Sequence, residues 1–365
     1  LQPACIDLFA DADLCTIAPA IRCNPAEFPQ SIPDLLEGLP RVPVIYTGGL
    51  ENYPKLVQRI SEARPLWGND AAALSRCRCP FTVAKLLQGA RLSAPAVHSR
   101  IAELTGSRRW LRKPLAGSAG FGIQFVEPGM HDDERFFYQE FIAGTSMSAS
   151  YVALPDETLL IGVTEQLIGE PWLHAPAFRY CGNIGPVPIA STVRDTLIRM
   201  GEVIASSCGL RGLFGIDFIL HDETPMLVEV NPRYTASMEV LERSTGMPCI
   251  AMHRAAFEPV ERRWPVRIEW HGDLVGKAIL YTSSTLRFPK NGLWLKSIED
   301  VSKGILSSDF ADIPKEGEEI EAGWPVMTYF IAGNNAHECR NNLRERAKQL
   351  KAIFHSSCLL ENQYF

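Results

Sequence analysis

The run 226–233, Met-Leu-Val-Glu-Val-Asn-Pro-Arg, sets polar side chains at alternate positions of an apolar segment. On a strand, alternate residues share a face. Glu229, Asn231 and Arg233 should therefore point one way, and Val228, Val230 and Pro232 toward a core. Asp217 stands twelve residues before Glu229, in the run 215–220, Gly-Ile-Asp-Phe-Ile-Leu. The intervening 221–224, His-Asp-Glu-Thr, reads as a tight turn, so the two runs form a hairpin that brings Asp217 opposite the Glu229 region. Two carboxylates and an amide oxygen are hard ligands. They suit Mg²⁺ that is held jointly with phosphate oxygens and water.

A second group lies upstream. Residues 108–115 read as a charged strand that delivers Lys113 into a loop with glycines at 117, 120 and 122. Glycine lets backbone N–H groups approach anionic oxygens, and lysine adds a point charge. No Gly-Lys-Ser/Thr follows, so the loop is not a Walker A sequence. A third run, 136–142, is an apolar strand, Phe-Phe-Tyr-Gln-Glu-Phe-Ile, entering a turn at Gly144.

The elements that must position these groups follow from periodicity. Residues 1–75 alternate short strands (4–9 and 43–46) with helical stretches, among them one after Pro54 with Leu56, Val57 and Ile60 on one face. This suggests a parallel α/β layer whose first strand is expected to be missing. Helices are expected at 81–90 and 192–208, the latter with Val193, Leu197, Met200, Val203 and Ile204 at helical spacing. Strands at 108–115, 122–127 and 135–142 suggest an antiparallel sheet. Arg262-Arg263-Trp264-Pro265 reads as a boundary, followed by mostly β structure and a closing helix striped by Leu343, Ala347, Leu350, Ile353 and Phe354.

Together, in this order and spacing, the three groups resemble the ATP-grasp superfamily. The resemblance covers about 76–262. It implies a truncated pre-ATP-grasp α/β domain at 1–75, a two-subdomain ATP-grasp fold at 76–262 and a β-rich domain with a terminal helix at 263–365, an α/β and α+β chain overall. It implies that Lys113 contacts the α- and β-phosphates of ATP and that the loop with Gly117, Ser118, Gly120 and Gly122 closes over them. The hinge Gln139, Glu140, Phe141 and Ile142 would meet the adenine, with backbone hydrogen bonds from Gln139 and Ile142. Asp217, Glu229 and Asn231 would hold Mg²⁺, with Mn²⁺ as a substitute. Arg233 would stabilise negative charge on the transferred phosphoryl group or on the tetrahedral intermediate. The sequence departs from the family pattern at Ser146, where an acidic ribose contact is common, and near Phe81, where an early lysine is common. Lys85 is the nearby candidate, and a surface helix lysine is its plainer reading.

A finer resemblance, carried by 231–239, 178–186 and 311–326, is to ATP-grasp proteins of tetrahydromethanopterin- and methanofuran-linked one-carbon metabolism. The implied activity is joining a small-molecule carboxylate to an amine. A biotin-carboxylase-like reaction and a non-catalytic ATP-binding module are the alternatives. No biotinylation sequence is present, and Glu239 stands ten residues after Glu229, farther than the bicarbonate-activating glutamate of those carboxylases. Substrate-facing residues are expected among Arg179, Tyr180, Tyr234, Thr235 and Ser237.

Composition limits the partners. Thirty-six basic against 42 acidic residues, net −6, argue against a dedicated nucleic-acid binder. No uncharged apolar run has the length of a membrane span, and the chain starts without a secretory pattern. Ten cysteines include no Cys-x-x-Cys pair, and the histidines are scattered. Reduced thiols in a cytoplasmic enzyme, with a homodimer as the default assembly, are the expectation.

Overall fold

The computed structural model of the chain describes residues 3–258, 273–305 and 308–361, with side chains as far as His355 in the last helix. The expected boundary at 262–265 lies outside the described residues. The chain separates into two compact units, one built from 1–40, 167–184 and 273–365, the other from 41–166 and 185–272.

The second unit carries the three sequence groups singled out above. Its smaller sheet is antiparallel, in the order Val97–His98, Phe136–Glu140, Trp110–Pro114, Gln124–Phe125. The expected strands are all present and shorter than their apolar runs. Its larger sheet places Thr224–Asn231, Gly212–His221, Thr145–Ala153 and Thr158–Ile168 side by side, also antiparallel. The helix Ser191–Cys208 forms where the spacing predicts it. It buries Val193, Leu197, Met200 and Ile204 and ends on left-handed Gly209. These residues share one core with Val83 and Leu87 of the helix Pro80–Gly89 and with Tyr151, Phe214 and Phe218 of the sheet. The predicted face of the helix Pro54–Ala63, Leu56, Val57 and Ile60, is buried. Val44 bridges Leu66 in the parallel sense.

In the first unit, Cys5–Asp7 runs parallel to Ala20–Arg22, with the helix Ala12–Ile17 as the crossover. The strands Tyr180–Gly185, Leu274–Tyr281, Pro325–Gly333 and Phe310–Ala311 are neighbours in that order. The closing helix Ala336–Glu361 buries Cys339, Leu343, Ala347 and Leu350, and Tyr329 donates its hydroxyl to the Leu343 carbonyl at 2.9 Å. A helix at Leu295–Ser302 adds to the expected β structure. Trp294, at its N-terminus, stacks on Phe354 at 5.7 Å between centroids.

One packing detail reverses an ordinary rule. Alanine normally stabilises a helix over glycine by about 1 kcal/mol. At Gly201, in the middle of Ser191–Cys208, a Cβ would overlap Cε1 of Tyr151 and stand 2.6 Å from its Cδ1. That ring cannot easily retreat. It stacks on Phe214 at 4.9 Å, and its hydroxyl is tied to the Leu197 carbonyl at 2.9 Å. Gly201→Ala is therefore predicted to destabilise the protein by roughly 1–3 kcal/mol, the cost of overpacking a filled core. Urea denaturation checks this; a gain in stability would show that the ring yields.

Candidate active site

The hairpin forms with a two-residue turn. His221 pairs with Thr224, and Asp222 and Glu223 take φ of +45° and +59°, the sense that matches strand twist. Farther along, Asp217 lies directly opposite Glu229, while the next pair is Phe218 with Leu227. Val228 is thus an extra residue, a β-bulge. The bulge corrects the expected alternation. The core residues of this strand are Leu227 and Val230, 4% and 2% exposed, and Val228 is displaced toward the site. Its carbonyl faces Nζ of Lys113 at 3.5 Å and Nε2 of Gln139 at 3.3 Å.

Asp217 and Glu229 are thereby brought together, and Asn231 joins them. Its Nδ2 donates to Oδ2 of Asp217 at 3.0 Å. Burial, reinforced by the charge of Glu229, pushes Asp217 up to about 6. Burial also opposes ionisation of Glu229, but Arg78 and Lys113 outweigh it and hold this carboxyl below its usual range. The two carboxylates of the facing pair are thus unequally compensated, and a second carboxylate charge beside the first favours an added cation. Among the described residues, no three His, Cys, Asp or Glu side chains cluster as a self-sufficient metal cage. Two carboxylates and an amide instead fit an ion that takes further ligands from phosphate and water, as Mg²⁺ does.

Lys113 comes from the strand Trp110–Pro114. Burial lowers its pKa, and the nearby charges of Glu229 and Asp217 work against that. Its Nζ lies 3.0 Å from Oε1 of Gln139. The loop after it is shaped by left-handed backbone at Ala119, Gly120 and Gly122, with φ of +52°, +77° and +74°. Only glycine takes such values without strain. One cavity is lined by Lys113, Gly117, Ser118, Gly120, Gln139 and Glu229. Gly122, Glu140, Phe141 and Ile142 do not line it. Glu140 accepts from Arg108 at 3.2 Å, and Phe141 packs on Phe125 at 5.3 Å.

Arg233 does not pair with Asp217 or Glu229. Its Nε donates to Glu51 at 2.6 Å, its Nη1 to the Tyr234 carbonyl at 3.1 Å, and its Nη2 lies 3.4 Å from Oδ1 of Asn231. The side chain of Glu51 is fully enclosed, and its second oxygen has no partner. Asn69 clamps the same end of the hairpin, donating to the Pro232 carbonyl at 2.9 Å and accepting from the Arg211 amide at 2.8 Å.

Sequence reading missed Glu51, Asn69 and, above all, Arg78. Arg78 sits between the helices Ala71–Cys77 and Pro80–Gly89, lines the cavity and donates to Glu229 at 2.5 Å. The available signal was an arginine at the start of a proline-initiated helix. Lys85 projects from the exposed face of that helix, its plainer reading. Phe81 is partly exposed and meets Phe137 edge-on at 6.4 Å. Thr235 and Ser237 are buried, and Tyr234 donates to Glu242 at 2.6 Å. Arg179 and Tyr180 lie in the first unit.

Comparison with known proteins places this geometry. An ATP-grasp domain is matched at residues 81–237. An uncharacterized protein of Methanocaldococcus jannaschii is 29% identical over 245 residues, 65% of this chain, so the chain spans about half (54%) of that relative's length. An L-amino acid ligase from Bacillus licheniformis has a similar fold, with TM-score 0.65 and 17% identity over 96% of this chain and 98% of that one. N5-carboxyaminoimidazole ribonucleotide synthetase from Thermus thermophilus gives TM-score 0.66 and 14% identity over 96% and 92%. The shared fold agrees with the hairpin, the lid loop and the hinge strand described above, and residues 81–237 are an ATP-grasp domain.

Proposed function

We propose that the protein is an Mg²⁺-dependent ligase that uses ATP to join a small-molecule carboxylate to an amine. The observation that carries this reading is the facing pair Asp217 and Glu229, with Asn231, beside a cavity that also presents Lys113 and the glycine loop. In this reading a substrate carboxylate oxygen attacks the γ-phosphorus and ADP leaves. The amine then attacks the acyl phosphate carbonyl carbon, inorganic phosphate leaves, and the amine loses a proton. Lys113 and the loop hold phosphates, the hinge 139–142 holds adenine, and Arg233 stabilises charge at the transferring group. Bound at Asp217, Glu229 and Asn231, Mg²⁺ would neutralise phosphate charge, and Mn²⁺ would replace it.

The ligase activity of the Bacillus licheniformis structure supports the reaction class. The one-carbon subgroup, resting on 231–239, 178–186 and 311–326, belongs to the proposal. So do the division at 75 and 262, a cytoplasmic location and a homodimer. The test is ADP release with a panel of amino acids and amines, with bicarbonate as a separate arm. Amine-dependent release supports the ligase; release that needs only bicarbonate replaces it with a carboxylase.

Glu229→Gln keeps the shape of the side chain and removes its charge. It is predicted to lower ADP release by roughly two orders of magnitude, the loss typical of one electrostatic group at a reacting centre. Wild-type ADP release in a folded variant would remove the central claim. Lys113→Ala should weaken nucleotide affinity more than it slows saturated turnover, because its phosphate contacts persist from ground to transition state. Calorimetry set beside steady-state rates separates the two; intact affinity with collapsed turnover would place Lys113 on the transferring group.

Arg233→Lys should show the opposite pattern. An ammonium cannot reproduce the fork that binds Glu51 and the Tyr234 carbonyl while reaching toward Asn231. Turnover is predicted to fall by about 10²–10³-fold, with nucleotide affinity nearly kept. Turnover within a factor of a few of wild type would reduce Arg233 to a structural partner of Glu51.

A further inference from the structure

Arg78 makes more contacts at the site than a simple charge would need. Its Nη1 donates to Oε1 of Glu229 at 2.5 Å and to the Val230 carbonyl at 3.2 Å. Its Nη2 donates to Oδ1 of Asn52 at 3.0 Å and to the Gly117 carbonyl at 2.8 Å. Asn52 reaches the same Gly117 carbonyl at 3.4 Å. The guanidinium is nearly enclosed, at 12% exposure, and its Nε is buried without a partner, while Glu229 stays 32% open. One cation therefore joins a proposed metal ligand to the first glycine of the lid loop.

We propose that Arg78 is a latch that makes metal and nucleotide bind as one unit. The inference rests on the reading of the site as an Mg²⁺–nucleotide site. A divalent ion arriving alone must take Glu229 from Arg78, and an enclosed guanidinium stripped of its carboxylate is costly. Such an ion also gives up hydration reluctantly. A nucleotide removes the obstacle, since its phosphates offer Arg78 replacement anions within the same cavity. Glu229 then becomes available to the metal, and the Gly117 carbonyl loses its strongest donor. The lid loop is thus released from its seat when polyphosphate and metal arrive together. Because such coupling is reciprocal, the metal tightens nucleotide binding by the factor by which nucleotide tightens metal binding.

The test uses Mn²⁺ as the probe, followed through the electron paramagnetic resonance signal of the free ion. Wild type, Arg78→Met and Arg78→Lys are titrated without nucleotide and again with ADP; circular dichroism melts report folding, and limited proteolysis reports cleavage within 115–122. Wild type should bind Mn²⁺ alone weakly and gain at least about tenfold with ADP, within the usual range of coupling between sites. Arg78→Met should bind Mn²⁺ alone about tenfold more tightly than wild type and lose most of the gain from ADP. Cleavage of the loop should be faster in both variants, because neither can reach Glu229 and the Gly117 carbonyl together. Equal Mn²⁺ affinity in wild type and a folded Arg78→Met overturns the latch. If Arg78→Met fails to fold, Arg78→Lys decides, and wild-type values for both its Mn²⁺ coupling and its loop cleavage overturn the latch. Failure of the wild-type protein to bind nucleotide with Mg²⁺ would instead overturn the functional reading, and the comparison of Mn²⁺ alone would still judge the latch.

Discussion

Everything around the hairpin answers one electrostatic problem. Asp217 and Glu229 face each other across an antiparallel pair, both partly withdrawn from solvent. Such a pair costs free energy unless cations or donors surround it. The structure meets the cost from several directions. Arg78 enters from between two helices, Lys113 from the smaller sheet, and the amide of Asn231 from the same strand as Glu229. The cations stand closer to Glu229 than to Asp217, which takes its nearest donor from the amide of Asn231.

An outer layer of contacts fixes these groups in place. Arg233 is locked by the enclosed carboxylate of Glu51, and the hairpin end by Asn69, whose own backbone carbonyl accepts the Tyr46 hydroxyl at 2.8 Å. Tyr46, Glu51, Asn52 and Asn69 all precede the matched domain at 81–237. The segment before that domain therefore supplies the supports of its arginine and of its loop. Polar groups this enclosed work only as a set, since each leaves its partner unsatisfied if removed.

Much of this was legible in the chain. Alternation within 226–233 pointed to a functional strand, and the turn at 221–224 fixed its partner, so Asp217 and Glu229 could be paired from the residues alone. The helix at 191–208 followed from its stripe, and the one at 80–89 was expected at 81–90. What escaped was of two kinds. Arg78, Glu51 and Asn69 sit in short links, where no periodicity distinguishes a buried polar residue from a solvated one. Val228 was misassigned because a bulge adds one residue without altering the apolar character of the run, and the count of two per repeat then fails silently.

That bulge has a consequence for how the strand can vary. Val228 and Glu229 together stand opposite Asp217, and Leu227 and Val230 on either side of them keep to the core. Removing Val228 would leave Leu227 opposite Phe218, Glu229 opposite Asp217 and Val230 opposite Ile216 in regular alternation, so no side chain would change face. What would go is the extra carbonyl that stands 3.5 Å from Nζ of Lys113 and 3.3 Å from Nε2 of Gln139. A hairpin grafted into another scaffold would keep its facing carboxylates without the irregular residue, but would offer that carbonyl to the lysine only with it.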